Sequence, residues 1–120
     1  MHKAIATKWA EALRSGEYRQ CKEVLRREEG FCCLGVLCDL HRQAKGGEWV
    51  GPDHHTHGGM VYQPAEGGED YALLPEAVQE WAGIRGPNPS VRCDPLTILN
   101  DEGREFGDLA DMIAACWEDL

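Results

Sequence analysis

The sequence predicts a small single-domain α+β fold over residues 1–120, with about four helices and one or two short β-hairpins. Three observations predict it. The chain has 120 residues, enough for one core but not for two. Apolar residues recur at helical spacing in four stretches. Between them lie short extended pieces broken by glycine and proline, as in "GGEWVGPDHHTHGGMVYQ".

The first element is a helix over residues 3–14. Ile5, Trp9, Ala12 and Leu13 fall on one face, and Ser15-Gly16 closes it. From Glu17 to Phe31 the spacing changes: Tyr18, Cys21, Val24 and Leu25 are separated by polar residues, and "RREEG" supplies a turn. A short hairpin is expected there. The run "FCCLGVLCDLHRQ" is apolar on nearly every side, the pattern of a central helix. Gly35 costs that helix about 1 kcal/mol of propensity, so its expected role is to admit a close neighbour. "KGG" ends the helix at Lys45–Gly47.

Glu48–Val50 and Met60–Gln63 are expected to pair as a second hairpin, with "GPDHHTHGG" as its exposed tip. "LLPEAVQEWAG" is a helix with Pro75 at its first position and Gly83 as its cap. "RGPNPSVRC" is extended, since prolines 87 and 89 bias their predecessors away from helix. Pro95 opens a short helix, "PLTILN", and "NDEG" is a turn. A last helix starts near Glu105, with Phe106, Leu109, Ile113 and Trp117 on its apolar face.

Net charge is −9, unevenly placed. Residues 1–60 carry nine Lys/Arg against eight Asp/Glu, net +1, and residues 61–120 carry three against thirteen, net −10. An acidic half of this kind repels a phosphate backbone, so a nucleic-acid duplex is not an expected partner. No apolar run approaches the roughly 20 residues that span a bilayer, and the N-terminus carries charges inside its apolar pattern, unlike a secretory leader. No membrane association is expected, and the expected location is the cytoplasm.

Four stretches, "KWAEALRSGEYRQ", "FCCLGVLCDL", "LPEAVQEWAG" and "LTILNDEGREFGDLADMI", resemble a family of small uncharacterised proteins of tailed phages and prophages. They cover roughly half the chain. The resemblance implies a phage accessory protein made in the cytoplasm of an infected bacterial host, and it implies no catalytic residues. Small accessory phage proteins commonly oppose host immunity, some by capturing a nucleotide signal and others by blocking a host protein.

Six cysteines (Cys21, Cys32, Cys33, Cys38, Cys93, Cys116) include no C-x-x-C pair. Cys33 and Cys38 lie about 140° apart around a helix. Core filling is therefore expected, with a metal site or a nucleophile as alternatives. Asp53, His54, His55 and His57 could meet a metal or a phosphate, against the simpler reading of a solvated loop. Asp39, Asp94, Asp101, Glu102 and Asp108 have no spacing that forces a carboxylate pair.

Tyr18, Arg19, Gln20, Lys22 and Arg26 combine a ring, an amide and cations around the first hairpin. On a strand Tyr18, Gln20 and Lys22 would share one face. Those are the parts needed to stack a base and fork a phosphate, against the simpler reading of exposed strand residues with mixed charges. Trp49, in the glycine-rich region, is the tryptophan most available to join them, with Tyr62 as a further stacking contact.

The leading expectation is a non-enzymatic phage anti-defence protein that sequesters a small nucleotide-derived immune signal. It would need no cofactor and no metal, and would act as a homo-oligomer sharing a pocket between subunits. Ligand contacts would fall on Tyr18, Arg19, Gln20, Lys22, Arg26, Trp49 and Tyr62. The alternatives are an acidic inhibitor of a host defence or nucleic-acid-binding protein, and a small metal-dependent hydrolase on the histidine loop.

Overall fold

Helix α1 (Lys3–Arg14) buries Ala6, Trp9, Ala10 and Leu13, the face that its sequence period marks out. The computed structural model describes residues 1–120. After an irregular segment come strands β1 (Arg26–Arg27) and β2 (Gly30–Phe31), then helix α2 (Cys33–Lys45). Strands β3 (Gly47–Val50) and β4 (Val61–Pro64) follow, then helix α3 (Glu76–Ala82). Strands β5 (Ser90–Val91) and β6 (Asp94–Pro95) lead directly into helices α4 (Leu96–Asp101) and α5 (Phe106–Cys116). A 3-10 turn over Trp117–Asp119 ends the chain. The result is an α+β domain of five α-helices and three two-stranded antiparallel sheets. No helix is long and apolar enough to cross a membrane.

Helix α2 is the central element. Residues Cys33 to Asp39 are buried without a break, because α1, α3, α4 and the β3–β4 hairpin all pack around it. Gly35 is what lets the chain close over it. A Cβ at Gly35 would overlap the Leu25 carbonyl oxygen and approach its carbon to 2.7 Å. The expected close neighbour is thus the backbone of Leu25. The Trp9 indole donates to the Cys33 carbonyl at 2.9 Å, tying α1 to the first turn of α2.

Cysteine serves this packing. Cys32, Cys33 and Cys38 are buried and unpaired, and Cys32 also caps α2, its sulfur accepting from Gly35 N at 3.4 Å. Burial pushes the Cys32 thiol up to about 12 and those of Cys33 and Cys38 well above the usual range, so none supplies a thiolate near neutral pH.

Three expectations are corrected. Tyr18 to Lys22 do not form a strand: only Gln20 bridges to Phe31, and the hairpin is confined to β1 and β2. Tertiary contacts from α4 fix that segment instead. The fully buried Asn100 accepts from Gln20 Nε2 (2.9 Å) and Cys33 N (3.2 Å) and donates to the Cys21 carbonyl (2.8 Å). Second, the extended piece after α3 holds a third hairpin, Val91 pairing with Asp94 across a two-residue turn. Arg92 and Cys93 both take positive φ there (52° and 73°), without the glycine or asparagine that announces such a turn. Third, Pro75 precedes α3 as its N-cap rather than opening it.

Candidate functional site

Asp39 sits on the last buried position of an unbroken run in α2, where its side chain reaches the edge of the core. Four donors converge on its carboxylate. Oδ1 accepts from Arg42 Nε at 2.8 Å and Trp49 Nε1 at 3.0 Å. Oδ2 accepts from the Tyr18 hydroxyl at 2.8 Å and Gln43 Nε2 at 3.1 Å. Arg42 and Gln43 come from the next turn of the same helix, the spacing at which helix side chains meet. Burial opposes the charge on Asp39, but the bonds from Arg42, Tyr18 and Trp49 outweigh it, and the carboxyl lies below its usual range. Burial, then the bond to Asp39, pushes the Tyr18 phenol up to about 12.

The carboxylate positions a row of rings. Tyr18 meets Phe31 edge-on at 4.9 Å, Phe31 meets Trp49 edge-on at 5.8 Å, and Trp49 leans on Tyr62 at 4.9 Å. The hairpins set this order. Arg26 pairs with Phe31 in the β1–β2 register, and Trp49 lies opposite Tyr62 in the β3–β4 register. The Arg26 guanidinium lies 4.6 Å from the Phe31 ring centre and 5.4 Å from that of Trp49. Arg26 forms no ion pair, and its Nε is buried with no hydrogen-bond partner.

Behind the row, Tyr62 is fully buried, its hydroxyl 2.6 Å from His41 Nδ1. His41 Nε2 lies 3.0 Å from Glu66 Oε2. A carboxylate only accepts, so Nε2 carries a proton and donates to Glu66; in the neutral imidazole the Tyr62 hydroxyl then donates to Nδ1. The hydrogen bond from His41 holds the Glu66 carboxyl below its usual range.

The seven sequence-predicted residues therefore divide. Tyr18, Arg26 and Trp49 come together. Tyr62 joins them only from beneath: with no exposed surface it supports Trp49 and does not meet a ligand, which corrects its expected contact role. Arg19 and Gln20 line a separate notch of about 230 Å³ with Cys21, Arg27, Glu29 and Gly30. Gln20 is a structural residue, its amide donating to Asn100 and to the Arg104 carbonyl at 2.7 Å. Lys22 is exposed, and its carbonyl accepts from Arg27.

Sequence reasoning missed Phe31, Asp39 and Arg42 as members of the site. Arg42 and Gln43 follow Asp39 by three and four residues, a legible signal; Tyr18 and Trp49 reach it from other elements, which no spacing announces. In the histidine loop, Asp53 Oδ1 accepts from His55 N at 2.7 Å, capping the short 3-10 turn His54–Thr56, and His54, His55 and His57 are exposed. No three His, Cys, Asp or Glu side chains gather in metal-ligating geometry.

Chemically, a carboxylate with four donors is an anchor rather than a base, since its lone pairs are committed. Arg26 is the opposite case: a cation against aromatic faces with no counter-charge.

A family model described as a domain of unknown function (DUF8296) matches residues 1–117. No curated protein and no solved structure matches the chain.

Proposed function

We propose a function from the site itself, because the chain belongs to DUF8296, a family of unknown function. The protein is a non-catalytic capture protein for a small nucleotide-derived anion of the cyclic-nucleotide or cyclic ADP-ribose type. One observation carries the reading. In a chain of net charge −9, Arg26 stays without a carboxylate partner while resting against Phe31 and Trp49 with Nε unbonded.

A phosphate on the free edge of Arg26 would take forked, charge-assisted bonds. The attached base would lie against Trp49 or the exposed edge of Tyr18. Arg27 follows Arg26 in β1 and so projects to the other side, where it lines the notch with Arg19. That notch, which also carries Glu29, is therefore not part of the Arg26 face. Retention without turnover agrees with the chemistry, since Asp39 is saturated by donors and the interior thiols are held protonated.

None of the larger cavities is lined by Tyr18, Arg26, Phe31 or Trp49, so enclosing a ligand requires a second copy of the chain, and the working form is a homo-oligomer. The resemblance to phage accessory proteins supplies the setting: capture in the cytoplasm of an infected bacterium silences an immune signal. The runner-up, an acidic inhibitor of a host protein, draws on one observation. Among the thirteen acidic residues of the second half, only Asp70 and Asp101 are not exposed.

The test mixes purified protein with cyclic mononucleotides, cyclic dinucleotides and cyclic ADP-ribose isomers, filters off free nucleotide, and heats the retentate. One class should be retained and released chemically unchanged, and Arg26→Gln should abolish retention. Retention of no member, release of cleaved product, or retention insensitive to Arg26 overturns the reading.

A further inference from the structure

A second cavity, of about 300 Å³, lies between the β5–β6 hairpin, the end of α4 and the outer side of α5. That is the small end of the range for small-molecule sites, roughly 300–1,000 Å³. Val91, Leu99 and Met112 give it apolar lining. Its charged residues are Arg92, Arg104, Asp94 and Asp111. Asp111 is held by Arg14 at 2.7 Å. Arg92 and Arg104 take part in no ion pair.

The hairpin brings Arg92 there at a cost. Arg92 and Cys93 occupy the left-handed region that non-glycine residues avoid, in the turn that closes the Val91–Asp94 pair. Backbone held this way is a reason to look for function at the turn. Two unpaired guanidiniums beside an apolar lining fit a ligand with the same division: a hydrocarbon body ending in an anion. Asp94 is also unpaired and would repel a second negative charge, so a polyphosphate is disfavoured and a single carboxylate is favoured.

We propose that this cavity is a binding site for a small monocarboxylate with an aliphatic or aromatic body. The carboxylate lies between Arg92 and Arg104, and the body lies on Val91, Leu99 and Met112. The site is independent of the Arg26 face, and nothing in it requires the nucleotide reading.

The experiment uses the full chain and 3-phenylpropionate as probe, with 3-phenylpropanol and 3-phenylpropylamine as neutral and cationic isosteres. Binding is read from the methyl ¹H–¹³C signals of Met60 and Met112. Met60 is hydrogen-bonded through its N–H to the Arg26 carbonyl and so reports the other face. The acid should shift Met112 saturably and leave Met60 in place. The alcohol should bind about tenfold more weakly, a difference of about 1.4 kcal/mol, and the amine should give no saturable shift. The double variant Arg92→Gln, Arg104→Gln alters two exposed side chains and should weaken the acid by about tenfold or more. Equal shifts from all three probes, no saturable shift at Met112, or an unchanged affinity in the folded double variant overturns the proposal.

Discussion

Replacing Gly35 by Ala sets two physical effects against each other. Helix propensity alone favours the substitution by about 1 kcal/mol. Packing opposes it, because the new Cβ would overlap the Leu25 carbonyl oxygen and lie 2.7 Å from its carbon. That contact is backbone, not the end of a flexible side chain. Leu25 is fully buried and held on both sides, its N–H donating to the Tyr71 carbonyl at 2.7 Å and its carbonyl accepting from Cys32 N at 3.0 Å. Relief requires α2 to shift or the Leu25 carbonyl to turn. Overpacking costs about 1–3 kcal/mol, and weakening a buried hydrogen bond about 1–3 kcal/mol more. After the propensity gain the net loss is about 3 kcal/mol, or roughly 10 °C in Tm for a chain of this length. Gly107→Ala is the matched control. Gly107 lies in α5 with open space around it, so propensity acts alone and should raise stability by about 0.5–1 kcal/mol. Urea and thermal melts followed by circular dichroism read both. If Gly35→Ala is neutral or stabilising like the control, the close approach of Leu25 to α2 is wrong.

Asn100→Ala should destabilise by about 2–4 kcal/mol in urea melts, because Cys33 N and the Cys21 carbonyl lose their partner and Gln20 keeps only the Arg104 carbonyl. Asp39→Asn should flatten the acid limb of the stability–pH curve. The folded carboxyl lies below its ordinary range, so its contribution is present above the unfolded value, about 3.9, and is lost as pH falls through the folded value. A wild-type acid limb that survives in the variant would remove Asp39 as its source. Cys93→Gly should stabilise by about 1 kcal/mol in the same melts, since glycine holds φ of 73° without steric cost.

The helices were legible because burial on one side leaves a 3.6-residue signature, and α5 starts one residue from its expected position. The β3–β4 hairpin was legible from its glycines and alternation. What escaped was set by contacts distant in sequence. The segment around Tyr18 reads as a strand, but Asn100 and Asp101, some eighty residues later, hold it in an irregular path. The third hairpin escaped because Arg92-Cys93 occupies turn positions that normally carry asparagine and glycine. Of the cluster around Asp39, the rings and the cation at Tyr18, Trp49 and Arg26 could be picked out by residue type. The carboxylate that gathers them could not, because two of its four donors arrive from other elements.

The distribution of sulfur gives the protein its own clock. A maleimide added to the native chain meets Cys93 at once, and Cys21 and Cys116 more slowly, while Cys32, Cys33 and Cys38 stay out of reach until the central helix is uncovered. Mass increments from the fourth label onward therefore time whole-molecule opening, without any introduced reporter. Any bound molecule that steadies the fold will be seen as a delay in those late increments.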